Sequence, residues 1–411
     1  MKALVLCGGL GTRLRSVLTD IPKSMAPVGG KPFIDYVLEW LKKQRINEII
    51  LLAGYHADQI RSYIGSGKKY DLKIEYSIES YPLSTAGAIK YASKYYELGE
   101  NFLLINGDTY FDVEIEELVK FHESQSSYAT IALRLETDTS RYGRVDIDDN
   151  YKITQFKEKT NSQGEGFING GIYVLNSKIL KYIPDKACSL ENEIFPLLVK
   201  ENQITGYPEG GYFIDIGIPT DYSKAQEVLP EWERSEKKQA VFLDRDGVII
   251  EDSGYVHEKA NLKFMPGAFD AIKWINESGK LCVVVSNQAG IAHGYYSEEE
   301  ALKFEEIVEK EMKINGAKID RFYYCPYHPQ ASVEKYKIDS LCRKPKPGMV
   351  LKAANDFNIS LSKSFMVGDK ESDRIKLPQL KSYVIKSKYV NKWDFEDLKD
   401  LIVWQRGIDI R

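Results

Sequence analysis

The sequence predicts an α/β protein made of two doubly wound, mostly parallel-sheet domains, and three observations carry that expectation. The chain has 411 residues, against a prior of about 100–200 residues per domain. An apolar run that turns sharply on polar or glycine residues occurs twice, at 2–7 before Gly8-Gly9 and at 240–243 before Asp244-Arg245-Asp246-Gly247. After each opening, short apolar runs alternate with amphipathic segments, the pattern of strands joined by helical crossovers.

In chain order, the first half offers strand runs at 48–53, 101–105, 129–133 and 171–175, with a helix expected over 34–44. Residues 229–239, LPEWERSEKKQ, are charged and have little to bury, so they read as a linker between domains 1–228 and 240–411. The second half offers strand runs at 281–285, 321–325 and 364–367, a helix over 298–315 and a terminal amphipathic helix over 393–402. Sheets of this kind bind ligands at the carboxyl ends of their strands, and the chemically suggestive residues of both halves fall there.

Composition narrows the function classes. Hydrophobic residues make up 43% and charged residues 28%, as in ordinary globular proteins. Lys plus Arg number 56 against 60 Asp plus Glu, a net charge of -4. No whole-chain basic field exists, so nucleic acid is not an expected partner. No apolar run reaches the ~18 residues of a membrane span. The opening MKALVLCGGLGTRLR ends in glycines and reads as a buried strand, not a signal peptide. The five cysteines are thinly spread, form no disulfide framework and suit a reducing, cytoplasmic setting. Oligomeric state is open.

The first opening continues as LCGGLGTRLR, residues 6–15. Glycines let a backbone approach a phosphate closely, and a following helix N-terminus favours anions. Arg13 adds a permanent planar cation. The G-x-x-x-x-G-K-[ST] spacing of a P-loop is missing, which disfavours kinase-type ATPase chemistry. Downstream come PKSMAPVGGKP (22–32), STAGAI (84–89), NGDTY (106–110), FKEK (156–159), NGGIYV (169–174) and FIDIGIPTDY (213–222). In this order they resemble the sugar-phosphate nucleotidyltransferases over about residues 1–228. The resemblance implies attack of a sugar 1-phosphate on the α-phosphorus of a nucleoside triphosphate, with pyrophosphate leaving. Positioning and charge neutralisation dominate such a reaction. It implies nucleotide contacts from Leu6, Gly8, Gly9, Gly11 and Gly87, with Thr12 and Arg13 at the leaving phosphates. Lys23 and Arg13 would act catalytically on the reacting phosphates. Asp108, close to the nucleotide, and Asp215 would hold Mg²⁺ through oxygen, and Glu158, Lys159, Asn169 and Gly170 would lie on the sugar side. Taken singly, Lys23 also reads as a surface lysine, Asp108 as a helix N-cap, and Glu158 beside Lys159 as a weak surface ion pair. Asp215, flanked by isoleucines, would be costly to bury without a partner. Within the family, FIDIGIPTDY looks most like the mannose and heptose guanylyltransferases, which implies GTP as the nucleotide.

The second opening, VFLDRDGVII (241–250), places two aspartates one residue apart at a strand end. Ser286-Asn287-Gln288, Arg343-Lys344-Pro345 and Gly368-Asp369-Lys370 follow in order. This set resembles the haloacid dehalogenase-like phosphatases. The resemblance implies Asp244 as nucleophile and Asp246 as general acid and base. It also implies Ser286, Asn287, Arg343 and Lys344 on the substrate, with Lys346 a nearby alternative to Lys344. Mg²⁺ would be held by Asp244, Asp369 and the Asp246 carbonyl. The stretches 254–267, 286–296, 323–329 and 342–349 look like the heptose 1,7-bisphosphate phosphatases, with no bulky cap domain expected. Relatives often carry Cys-x-His and Cys-x-Cys zinc ligands here, whereas this chain has Tyr327 and Ser340 at two of those positions. A lost zinc site is expected, with Cys325 and Cys342 as small packing residues. His257 and His293 read as positioning or solvent-exposed groups.

Together the two resemblances imply a bifunctional enzyme acting on GTP and heptose phosphates. The second half would remove the C7 phosphate of a heptose 1,7-bisphosphate, and the first would convert the 1-phosphate to a GDP-heptose. GDP-mannose or ADP-heptose chemistry is the rival within this class. A non-catalytic binding role for one half is the rival outside it.

Overall fold

The computed structural model describes residues 1–8, 21–54, 56–157 and 164–407. The chain divides into two compact units, Met1–Ser235 and Glu236–Arg411.

In the first unit, strand Lys2–Leu6 carries the run KALVL, and its Ala3, Leu4 and Val5 are fully buried. Burial on both faces is what a central parallel strand requires. It pairs in parallel with Glu48–Ala53 on one side and Asn101–Asn106 on the other, and Lys73–Ile78 extends the parallel block beyond Glu48–Ala53. Helices Phe33–Lys43, Ala57–Ile64 and Ser84–Ala92 make the crossovers. The first of these buries Phe33, Ile34, Tyr36, Val37, Leu38, Trp40 and Leu41 against the sheet. Beyond Asn101–Asn106 the sheet becomes mixed: the long strand Gly166–Asn176 runs antiparallel to it and to Ala129–Glu136. A small antiparallel ribbon, Thr109–Phe111 with Phe213–Asp215, sits apart and sets Thr109 opposite Asp215.

Residues 229–234 are not linker. They are the last turns of helix Pro219–Arg234, which continues through Pro230. Leu229 is fully buried, Trp232 stacks on Tyr212 at 4.9 Å and donates to Asp112, and Glu233 accepts from Lys31 Nζ at 2.7 Å. The charges that suggested a linker face outward, while helical spacing turns Leu229 and Trp232 inward.

The second unit is a five-stranded parallel sheet in the order Arg321–Cys325, Leu281–Asn287, Ala240–Leu243, Phe365–Gly368, Lys381–Val384. Ala240–Leu243 is central and wholly buried. Chain direction therefore brings the residues that follow Leu243, Val285, Cys325 and Val367 to one edge. Helix Glu298–Ile314 begins with a capping box between Ser297 and Glu300. The terminal helix is Leu398–Gln405, not 393–402, because the Asp397 side chain accepts from Asp400 N and fixes its start. Between Gly247 and Gly267 the described residues contain only the short turn Lys259–Asn261, so no inserted cap domain lies there. No helix among the described residues is long and apolar enough to cross a membrane.

Candidate active sites

In the first unit, a cavity of about 570 Å³ opens at the carboxyl ends of the parallel strands. Leu6, Gly8, Lys23 and Asp108 line it, together with Glu79, Ser84, Thr85, Ala88 and Asn106. Lys23 enters from a single helical turn after Pro22, and its ammonium pairs with Asp108 and, at 3.4 Å, with Asp215 Oδ1. Asp108 follows strand Asn101–Asn106, and Asp215 ends the ribbon strand opposite Thr109, so a strand end and the ribbon bring the two carboxylates onto one ammonium. Gly217 N donates to Asp215 Oδ1 at 2.6 Å, and a Cβ on Gly217 would lie 2.5 Å from Lys23 Nζ. The lysine and the two aspartates thus converge where no larger residue fits. Lys23 is no surface lysine, its side chain being 10% exposed.

Gly87 has a different surrounding. It packs where a Cβ would meet Lys186 O at 2.8 Å, and its N–H donates to Cys188 O, so it lets the helix Ser84–Ala92 approach the 186–188 segment. It is absent from the cavity wall, which Ser84, Thr85 and Ala88 of the same helix line. Asn169 donates to Tyr173 Oη and accepts from Gly171 N, holding the irregular stretch of strand Gly166–Asn176. Gly170 lies against Phe111, where a Cβ would come within 2.5 Å of the ring. Gly9, Gly11, Thr12, Arg13, Glu158 and Lys159 lie outside the described residues.

The second unit gathers its charged residues at the predicted edge. Lys344 is 4% exposed, and its Nζ lies 2.9 Å from Asp244 Oδ1 and 2.6 Å from Asp373 Oδ1. Asp373 also accepts from the backbone N–H groups of Asp369 and Lys370 at 3.0 and 2.9 Å. The carboxylates of Asp244, Asp369 and Asp373 come within 4.8 Å of one another. Burial pushes the Asp244 carboxyl up to about 6, against the pull of Lys344 and with the help of Asp373 and Asp246. Asp369 rises to about 7, through burial and then the charge of Asp244. Lys344 is raised, because the two aspartates outweigh the cost of burying its charge. Lys344 and Lys370, the latter 3.9 Å from Asp369 Oδ1, do not balance three buried carboxylates, and Asp369 Oδ1 has no hydrogen-bond partner. Hard oxygen ligands, crowded and orphaned, are what a divalent cation such as Mg²⁺ would satisfy.

Around this cluster the remaining predicted residues take distinct positions. Asp246 is held by Arg245, whose Nε and Nη2 reach its carboxylate at 3.1 and 3.0 Å. Ser286 is buried, and its Oγ accepts from Gln288 Nε2 at 2.6 Å. Asn287 accepts from Lys344 N at 3.0 Å and donates to Lys344 O, so its amide places the lysine. Arg343 is half-buried and donates to Tyr327 O at 3.2 Å. Lys346 pairs with Asp339 at 2.6 Å, and Lys344 is the lysine that reaches Asp244. His257 stacks on Tyr296 at 4.4 Å, and Tyr296 Oη donates to Gln288 Oε1. His293 packs against His328 at 5.1 Å.

Cys325 and Cys342 are joined as a disulfide, Cα to Cα 5.6 Å, which corrects their reading as separate packing residues. Cys325 ends strand Arg321–Cys325 and Cys342 directly precedes Arg343, so folding brings together residues 17 apart in sequence. Cys7, Cys188 and Cys282 are free and buried.

Sequence reasoning missed Asp373 and Glu79. Asp373 had a signal in its spacing, four residues after Asp369 on the turn that follows a strand end. Glu79 follows strand Lys73–Ile78, the same strand-end position that marked Asp108. Its carboxyl is raised by burial, offset in part by the Leu83 N–H it accepts.

Comparison with known proteins covers both units. The family model described as nucleotidyl transferase matches residues 2–231, and the model described as polynucleotide kinase 3 phosphatase matches residues 239–399. The D-glycero-alpha-D-manno-heptose 1-phosphate guanylyltransferase of Aneurinibacillus thermoaerophilus is 40% identical over 233 residues, 56% of this chain and 100% of that protein. The D-glycero-alpha-D-manno-heptose-1,7-bisphosphate 7-phosphatase of Burkholderia mallei is 46% identical over 137 residues, 33% of this chain and 72% of that protein. The crystal structure of HddC from Yersinia pseudotuberculosis superposes with a TM-score of 0.51 at 40% identity, over 56% of this chain and 99% of its own.

Proposed function

The chain belongs to the nucleotidyl transferase family in its first unit and to the haloacid dehalogenase-like phosphatases in its second, and we propose that it carries out two consecutive reactions on one sugar. One observation carries the reading. The second unit's relative is named for taking the 7-phosphate from D-glycero-alpha-D-manno-heptose 1,7-bisphosphate, which leaves the 1-phosphate named as substrate of the first unit's relative.

In the second unit, Asp244 attacks the C7 phosphorus as the bond to the C7 oxygen breaks. Asp246 gives that oxygen its proton, and an aspartyl-phosphate and heptose 1-phosphate result. Water then attacks the phosphorus, Asp246 takes its proton, and orthophosphate leaves as the Asp244 carboxylate re-forms. Lys344 steadies the nucleophile and, with Ser286 and Arg343, faces the phosphate charge. Asp244, Asp369, Asp373 and the Asp246 carbonyl would hold Mg²⁺, which supplies the positive charge that lets a carboxylate approach a phosphate.

In the first unit, a 1-phosphate oxygen of the heptose attacks the α-phosphorus of GTP, the bond to the bridging oxygen breaks, and pyrophosphate leaves. GDP-D-glycero-α-D-manno-heptose is the product. Lys23 neutralises the reacting phosphates, and Asp108 and Asp215 would hold a second Mg²⁺. Gly9, Gly11, Thr12 and Arg13 would serve the nucleotide, and Glu158 and Lys159, with Asn169 and Gly170, the sugar.

Two substitutions test the pairing. Asp244→Asn keeps the shape but removes the anionic nucleophile, so phosphate release should fall by about 10³-fold or more while GTP use with ready-made heptose 1-phosphate stays intact. Asp108→Asn should do the reverse. Loss of both activities from either change would refute separate sites, and preference for mannose 1-phosphate over every heptose phosphate would favour the GDP-mannose reading.

A further inference from the structure

The phosphatase reading gives Asp246 two tasks, donating a proton to the leaving oxygen and then taking one from water. Each demands that a single-bonded side chain point correctly, and the residue before it is built to enforce this. Arg245 is 1% exposed, a rare burial for a guanidinium. Its Nε and Nη2 meet the two Asp246 carboxylate oxygens at 3.1 and 3.0 Å as a fork, and Nη2 also donates to Val256 O at 2.8 Å. The Phe304 ring lies 5.1 Å beneath the guanidinium, and Nη1 has no hydrogen-bond partner. From the other side Gln288 Nε2 lies 3.4 Å from Asp246 Oδ2 and is itself fixed by Ser286 and Tyr296. The Arg245 backbone N–H donates to Asp244 Oδ1 at 2.7 Å. Arg245 therefore touches both aspartates, the nucleophile through its main chain and the acid–base through its side chain.

A buried ion pair is a poor way to gain stability, since apolar residues of similar volume often do as well. What a bidentate fork does supply is direction: it fixes the plane and rotamer of a carboxylate. We propose that Arg245 is the positioning residue for Asp246, orienting its carboxylate for proton transfer to and from the phosphate oxygens. It passes no proton and forms no bond to phosphorus itself. The inference rests on the phosphatase reading above.

The test exploits leaving groups. Nitrophenolate departs from p-nitrophenyl phosphate without needing a proton, whereas the C7 alkoxide of the heptose needs one. With the full chain and Mg²⁺, Arg245→Met should still release a burst of about one nitrophenolate per active site, because Asp244 attacks normally. Steady turnover of both substrates should then fall about 100-fold, the order of a general acid–base contribution. For the bisphosphate no burst should appear and KM should stay within about threefold. Arg245→Lys, which keeps the charge without the fork, should lie between the two and guards against misfolding of the methionine variant. Nitrophenolate burst and bisphosphate cleavage slowed to the same degree in both variants would assign Arg245 a structural role and overturn the proposal, as would unchanged turnover. Absence of phosphate release from the unaltered chain would instead overturn the phosphatase reading.

Discussion

His122 lies 2% exposed in helix Ile115–Ser124, with its Nδ1 2.8 Å from Thr130 Oγ1, which in turn lies 2.8 Å from Thr205 Oγ1. Burial holds its pKa down at about 4. The folded unit therefore keeps the ring neutral, while the unfolded chain protonates it below about 6.5. Between those values the unfolded state binds more protons, so stability is full above pH 6.5 and is lost as the pH falls towards 4. The loss amounts to roughly 3 kcal/mol at most. Thermal inactivation of the transferase at pH 7, 5.5 and 4.5 should show this slope, and His122→Gln should flatten it. Parallel curves for the two proteins would exclude His122 as the cause. The same scale shows what sequence could and could not say. Asp244 and Asp246 were legible because they stand one residue apart at the end of a strand run. Asp373 offered only its spacing from Asp369, because its place in the site comes from sharing Lys344 with Asp244, 129 positions earlier.

At the scale of elements, helix Pro219–Arg234 is where composition misled. A run of charged residues around Pro230 resembles a linker, but alternate turns of a helix can bury Leu229 and half-bury Trp232 while their neighbours stay wet. Leu229→Ala in the full chain should cost about 3 kcal/mol, as for other buried leucines. At about 2–4 °C per kcal/mol for a unit of this size, heating should inactivate the transferase roughly 6–12 °C earlier and leave the phosphatase unchanged. If 229–234 were linker, neither activity would move. Strand positions were more readily legible than the helix end, because short apolar runs bounded by turn residues mark buried strands of a parallel sheet. The bounds of the terminal helix depended on one side-chain cap at Asp397, which periodicity does not register.

For the whole molecule, the two reactions have an order. A C7 phosphate adds two negative charges and bulk to a sugar pocket expected to meet neutral hydroxyls, and desolvating it without a cationic partner is costly. Asp244→Asn chain given the bisphosphate and GTP should therefore make little nucleotide sugar, and should make it normally from heptose 1-phosphate. The unaltered chain given the bisphosphate, GTP and Mg²⁺ should yield GDP-heptose, orthophosphate and pyrophosphate. Rapid pyrophosphate release from the bisphosphate by the Asp244→Asn chain would reverse the proposed order.

Sequence by itself determined that this is an α/β protein of two units, and which strand ends gather the candidate site residues, because chain direction through a parallel sheet delivers strand-following residues to one edge. Only the tertiary structure decided which charges meet. Lys23 between Asp108 and Asp215, Lys344 between Asp244 and Asp373, and Cys325 joined to Cys342 each unite distant segments. Spacing along a chain encodes local direction, whereas the partners of a buried charge are chosen by whatever the fold carries within a few ångströms of it.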